Sequence, residues 1–238
     1  MKKILSMSVA SLAFAAIAEY SPITVGVTEI TPTVNNVIVP VPYEKIGAAG
    51  TAVSVHDLVK AANLPEDSIL YYYDGSSYMA WQVNESKAWE PADVADIAGT
   101  EVTEGSDQVP ISVGSALWVV IAGNSLPENQ KVYVYGNPVS GLTSKIVKNK
   151  TNLLSNPTTA TVTGEALAGK LSPTVGDTIK PIGSSFDGHY VYGGSEYEWV
   201  HITPGTSPEP KATLPSLAAY QGFWYVSKAT DSDVTINW

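Results

Sequence analysis

Cysteine and arginine are both absent from the 238 residues. Without cysteine there is no disulfide, no thiolate metal ligand, no thiol nucleophile and no lipid-anchored cysteine. Without arginine, all 13 basic residues are lysines, set against 23 acids for a net charge of −10. Nucleic-acid binding needs clustered positive charge to neutralise phosphates, so that class is excluded. Charged residues make up only 15% of the chain, against about 25% in an ordinary soluble domain. No Gly-x-Ser-x-Gly elbow, phosphate loop or His-Glu-x-x-His motif is present. The three histidines, His56, His189 and His201, form no ligand spacing. Turns at 104–107 and 231–233 are rich in oxygen but match no EF-hand loop. The reading is therefore of a chain that is not an enzyme, with no catalytic residue, no cofactor and no metal site.

The N-terminus reads as an export signal. Lys2 and Lys3 precede an apolar run over 4–15, which ends in the small-x-small pattern Ala16-Ile17-Ala18. Residues 1–18 are expected to be a bacterial signal peptide, and the mature chain to be secreted to the cell surface or the extracellular space. No later segment is long and apolar enough for a membrane helix, so no membrane insertion is expected. Val234, Ile236 and Trp238 alternate as in an outer-membrane strand. The short strands and many prolines argue against a barrel.

What is abundant is Val, Ile, Thr and Tyr in short runs, punctuated by 19 glycines and 16 prolines. That pattern predicts an all-β fold of sandwich type. Strands are predicted at 23–28, 36–41, 69–73, 78–83, 116–121, 131–135, 160–163, 189–192, 197–202, 222–227 and 233–238. One short helix is predicted after Ser54, with Val55, Leu58, Val59 and Ala62 at helical spacing. A helical turn is expected after Pro91.

Three matches in the same order suggest an internal duplication. Asn36-Val37-Ile38-Val39-Pro40 resembles Asn152-Leu153-Leu154-Ser155-Asn156-Pro157. The hairpin carrying Tyr71, Tyr73, Tyr78 and Trp81 resembles that carrying Tyr190, Tyr192, Tyr197 and Trp199. The run Gly114 to Val120 resembles Gln221 to Val226. The expected plan is two tandem β-sandwich-like modules, at 35–137 and 151–238, joined by a linker at 138–150. An extended N-terminal arm at 19–34 precedes them. Trp118 and Trp224 are expected to be equivalent core residues.

The pattern Asn-Leu-Leu-x-Asn-Pro followed by Gly-Phe-Trp-Tyr-Val is similar to β-modules of large secreted or surface proteins of Bacteroidetes and Verrucomicrobia. Residues 152–224 carry the resemblance best, although position 220 is Tyr where such modules usually have glycine. The resemblance implies a secreted β-module and brings no catalytic residue with it.

Side chains alternate between faces along a strand. Tyr71, Tyr73 and Tyr78 then share one face, as Tyr190, Tyr192, Tyr197 and Trp199 do in the second copy. Such an aromatic face suits a core, a subunit interface or a sugar platform. The first hairpin is apolar on both sides and needs a cover on both; a neighbouring subunit is one candidate. The arm residues Ile23, Val25, Val27 and Ile30 have no partner strand in the repeat plan, and suit addition to a neighbour's sheet edge. The sequence thus points to a self-assembling homo-oligomer: a structural subunit of a surface filament or layer, joined by strand addition and aromatic interfaces. The alternative is an adhesive module whose partner is a glycan.

Overall fold

The computed structural model describes residues 26–32, 35–44, 52–97, 100–106, 109–139, 141–182, 188–230 and 232–238. The predicted signal peptide, Ile23 and Val25 lie outside them. The first half holds β1 (Gly26–Ile30), β2 (Asn36–Pro40), β3 (Tyr43–Glu44), β4 (Val53–Ser54), α1 (Val55–Leu58), β5 (Ile69–Tyr73), β6 (Tyr78–Val83), β7 (Trp89–Pro91), β8 (Val102–Glu104), β9 (Pro110–Ile111), β10 (Ala116–Val120) and β11 (Val132–Pro138). The second holds β12 (Thr143–Ile146), β13 (Thr151–Ser155), α2 (Gly164–Lys170), β14 (Thr178–Pro181), β15 (His189–Tyr192), β16 (Trp199–Ile202), β17 (Gly222–Val226) and β18 (Val234–Asn237). The fold is all-β, as the composition predicts. Among the described residues no helix is long and apolar enough to cross a membrane.

In the first half, the sheet β2-β10-β5-β6-β7 (with β8 parallel to β6) and the sheet β1-β11-β3 enclose a core with α1. Leu70, Trp81, Leu117 and Val119 come from the larger sheet, Val132 and Val134 from the smaller, Leu58 from α1. The second half holds the sheet β13-β17-β14-β15-β16 and the pair β12–β18. Its core gathers Leu167 of α2, Ile179, Trp199, Phe223, Tyr225, Ile146 and Ile236. Each helix starts at a hydroxyl cap: Ser54 Oγ accepts from Asp57 N, and Thr163 Oγ1 from Ala166 N.

The strand orders of the two larger sheets are alike, and backbone bonds let their positions be compared. Asp67 N donates to Val83 O and Val83 N to Ser68 O; Gly176 N donates to Tyr192 O and Tyr192 N to Asp177 O. Trp118 opposes Ile38 and Tyr71, and Trp224 opposes Leu153 and Lys180. Thr28 opposes Val134, and Ser144 opposes Ile236. β1 lies in the predicted arm and β12 in the predicted linker, and each pairs within its own half. Val27 and Ile30 are therefore in an intrachain strand, so β1 does not lack a partner strand within its own chain.

Three sequence readings are corrected by this register. The hairpin of Tyr71 and Tyr78 is β5–β6, third and fourth in its sheet, whereas that of Tyr190 and Trp199 is β15–β16, fourth and fifth. The two hairpins are not equivalent. Trp199, opposite Tyr192, corresponds to Trp89, opposite Val83. Asn36 pairs with Val120 but Asn152 with Tyr225, so the asparagines are one position out of register. Locally, residues 160–163 lead into α2 rather than form a strand, and residues 92–97 after β7 form no helical turn.

Candidate functional site

The β5–β6 register sets Tyr73 opposite Tyr78 and Tyr71 opposite Ala80, so these four share the face away from the first core. Trp118 adds to that face from β10, opposite Tyr71. The rings touch: Tyr71 and Trp118 lie 5.0 Å apart at 32°, Tyr73 and Tyr78 4.8 Å apart at 48°. Trp224 of the second half meets Tyr73 edge-on at 5.7 Å and 79°. Ala92, Val94, Ile97 and Val102 pack over the same cluster. The second cover for this hairpin therefore comes from the chain itself. Tyr71 and Tyr78 are buried, while Tyr73, Trp118 and Trp224 are half-buried. The expectation that both tryptophans sit in a core is corrected: strand alternation sends Leu117 and Val119, or Phe223 and Tyr225, inward and the tryptophans outward. The rings are mutually tilted or edge-on, so they present no flat row on which a sugar could lie.

The second hairpin differs from its predicted geometry. Six residues separate Tyr192 from Trp199, so Tyr192 opposes Trp199 and Tyr190 opposes His201. Tyr190 stacks on His201 at 4.6 Å and 18°, and His201 Nδ1 lies 3.9 Å from Glu209. Tyr197 is not on that face; it lies in the turn, 50% exposed. His189 opposes Ile202, which puts the two histidines on opposite faces. Among the described residues no three His, Asp or Glu side chains form a cluster that could hold a metal. Glu66, Asp67, Glu85 and Glu90 border an open polar pocket, where Gln82 donates to Asp67 and Asn84 to Glu90.

Sequence reasoning missed the junction between the halves. Ser155 N donates to Gly114 O at 3.3 Å, and Ser155 Oγ to Ser115 O at 3.0 Å. Ser144 Oγ donates to Gly114 O at 3.0 Å and accepts from Trp238 Nε1 at 2.6 Å. Lys150 Nζ donates to Ser76 Oγ in the β5–β6 turn. Gly222 lies flat against Ile38, where a Cβ would come within 2.3 Å of Ile38 Cγ2. A cavity of about 80 Å³, bordered by Tyr73, Asp74, Lys145 and Asn152, remains between the halves.

Burial, the largest effect, raises the Tyr72 and Tyr78 hydroxyls above the ordinary tyrosine value, with Asp74 and Tyr73 respectively adding to it. Tyr43 is raised by burial too, against the opposing pull of its bond to Thr28. Tyr225 is raised furthest, by burial and then by its hydrogen bond to the Asp177 carboxylate. A pKa raised by folding favours the protonated form, so this stability is complete below the unfolded value near 10 and is lost above it. Alkaline titration should therefore show tyrosinate absorbance rising together with loss of the β circular dichroism signal. Normal titration of all 13 tyrosines near pH 10 with the fold intact would contradict this.

No protein-family model matches the chain, and no curated protein or solved structure matches it either.

Proposed function

We propose that this chain is an exported bacterial structural protein, a subunit of a cell-surface or extracellular filament or layer, whose halves arose by internal duplication. The observation that supports the reading best is where the aromatic surface goes. Tyr71, Tyr73, Tyr78, Trp118 and Trp224 pack on one another and across the junction, which suits a stiff building block better than a sugar platform. Copies would associate through backbone edges. β1 lies at the edge of its sheet, and its one acid, Glu29, is paired with Lys131 at 3.0 Å. An edge without unpaired charge is poorly defended against strand addition.

An adhesive role is the second reading, and the tip of the β15–β16 hairpin favours it. Val175 and Tyr197, 65% and 50% exposed, both border the turn at Gly193 and Gly194. Electron microscopy of material sheared from the producing cells, labelled with antibody to this chain, tests the proposal. Labelled filaments or sheets are expected. A soluble monomer that binds a glycan array, with binding lost in Tyr197→Ala, would replace the structural reading with the adhesive one.

A further inference from the structure

Among the described residues the exposed large apolar side chains are Val175, at 65%, and Tyr197, at 50%. Both border the β15–β16 turn. A Cβ on Gly194 would lie 3.4 Å from Val175 Cγ2, and one on Gly193 would lie 2.8 Å from Tyr197 Cβ and 3.4 Å from Val200 Cγ2. The exposed pair is therefore continuous with Val200.

Val200 belongs to the outer face of the second sheet. Tyr190, Tyr192 and Trp199 pack on the second core, so alternation turns Val191 and Val200 the other way. The register carries that row across the sheet: Val200 opposes Val191, Val191 opposes Thr178, and Thr178 opposes Val226. The three valines are half-buried and belong to none of the hydrophobic clusters of the described residues. An antiparallel sheet open to water on one side alternates apolar with polar residues. This row is apolar instead, and so asks for a cover. On the first sheet, Ala92, Val94, Ile97 and Val102 cover the outer face. In the second half the chain after β16 takes another route. Glu209 pairs with His201 along the sheet edge, and Leu214 and Leu217 enter the core.

The chemistry of the patch selects its partner. Val175, Val191, Val200 and Val226 are aliphatic and Tyr197 alone is aromatic, so a sugar ring finds no second ring to stack on. The rim holds Glu196 and Glu198 in the turn, Lys211, whose N donates to Tyr197 O, and Lys228, whose stem lies beside Gly176. Two acids and two lysines balance there, in a chain of net charge −10. A second copy of the chain meets like charge over most of the surface but not at this rim. Two acids and two lysines facing their own copies are self-complementary.

We infer that this patch pairs two copies of the chain about a twofold axis, apolar row against apolar row, with the glutamates of each rim meeting the lysines of the other. The inference goes beyond the structural proposal and takes the hairpin tip out of the adhesive reading. A twofold contact closes on itself, so a filament needs a second contact as well, such as the β1 edge. Five apolar side chains make a small contact, and small interfaces give weak, concentration-dependent pairing.

Sedimentation equilibrium of the full chain over a wide concentration range tests this. The average mass should rise from that of one chain towards that of two. Val175→Asp with Tyr197→Asp puts charge into the patch at two exposed positions, and the mass should stay at one chain. Glu196→Lys with Glu198→Lys should weaken pairing about tenfold or more, as should Lys211→Glu with Lys228→Glu. All four reversals in one chain should restore it. The reversals leave the apolar row untouched, so they read the same contact should the aspartates unfold the chain. An unaltered protein that stays at one chain mass at every concentration would overturn the inference. So would pairing indifferent to the aspartates, or a fourfold reversal that does not restore it. Binding of the monomer to a glycan array through Tyr197 would overturn it too. Labelled filaments on the cells with a strict monomer in solution would overturn this inference and leave the structural proposal intact, so the two failures are distinguishable.

Discussion

Replacing Asp177 by alanine should destabilise the chain by about 3–5 kcal/mol, among the largest effects of any single polar substitution. Asp177 is 2% exposed. Its carboxylate accepts from Tyr225 OH at 2.6 Å, from Thr174 N at 2.9 Å and from Lys228 N. Its own backbone carbonyl receives Tyr192 N. One side chain thus ties the start of β14 to the end of β17. Alanine would leave the buried Tyr225 hydroxyl without its acceptor and release the part-buried amides of Thr174 and Lys228, and an unmet buried donor costs more than a made bond contributes. Tyr225→Phe removes one partner and should cost about 1–2 kcal/mol. Ser68 holds the corresponding place in the first half, where its Oγ accepts from Ala122 N at 3.0 Å. Urea denaturation of the three proteins measures these differences. A loss below about 1 kcal/mol for Asp177→Ala would show that the carboxylate does not organise the second half.

Trp81→Ala should be equally damaging, at about 3–5 kcal/mol. Trp81 is fully buried in the first core. Gly105 packs flat on the indole: a Cβ there would lie 2.0 Å from Cε2. The cavity left by alanine is walled by a β-sheet that cannot collapse into it. Trp118→Ala, on the outer face, should cost only about 1–2 kcal/mol, because its ring is half-buried and its Nε1 reaches Asn36 at a weak 3.3 Å. The order of the two losses in urea denaturation is the check. A larger loss for Trp118 would place the core on the wrong side of the sheet.

Much of the fold was legible from local patterns. Alternation and β-branched residues located β2, β5, β6, β10 and β17, and the four-residue turn after Tyr73 set the β5–β6 register. The cap at Ser54 located α1. α2 was missed because Gly164 and Gly169 dilute a seven-residue helix, and glycine is a poor helix former. β14 was missed because it is short and ends in Pro181.

The expected match between the two aromatic hairpins does not hold in the strand order. Tyr-x-Tyr recurs before both Trp81 and Trp199, and the resemblance of those runs overrode position. The register shows only in the backbone, where Val83 N donates to Ser68 O and Tyr192 N to Asp177 O, setting Ser68 rather than Asp67 against Asp177. The junction could not be read from sequence, because Gly114, Ser144 and Ser155 are common residues. Their role comes from a close approach between segments 30 to 41 positions apart.

The account turns on the two halves being held as one stiff body by the junction and its aromatic packing. The absence of cysteine permits a direct test, since two introduced thiols would be the only ones in the chain. Glu85 and Glu196 are exposed and lie in corresponding turns of the two halves, β6–β7 and β15–β16. With Glu85→Cys and Glu196→Cys spin-labelled together, pulsed electron paramagnetic resonance should give one narrow distance distribution. A broad or two-peaked distribution would mean that the halves move independently, and would contradict the account.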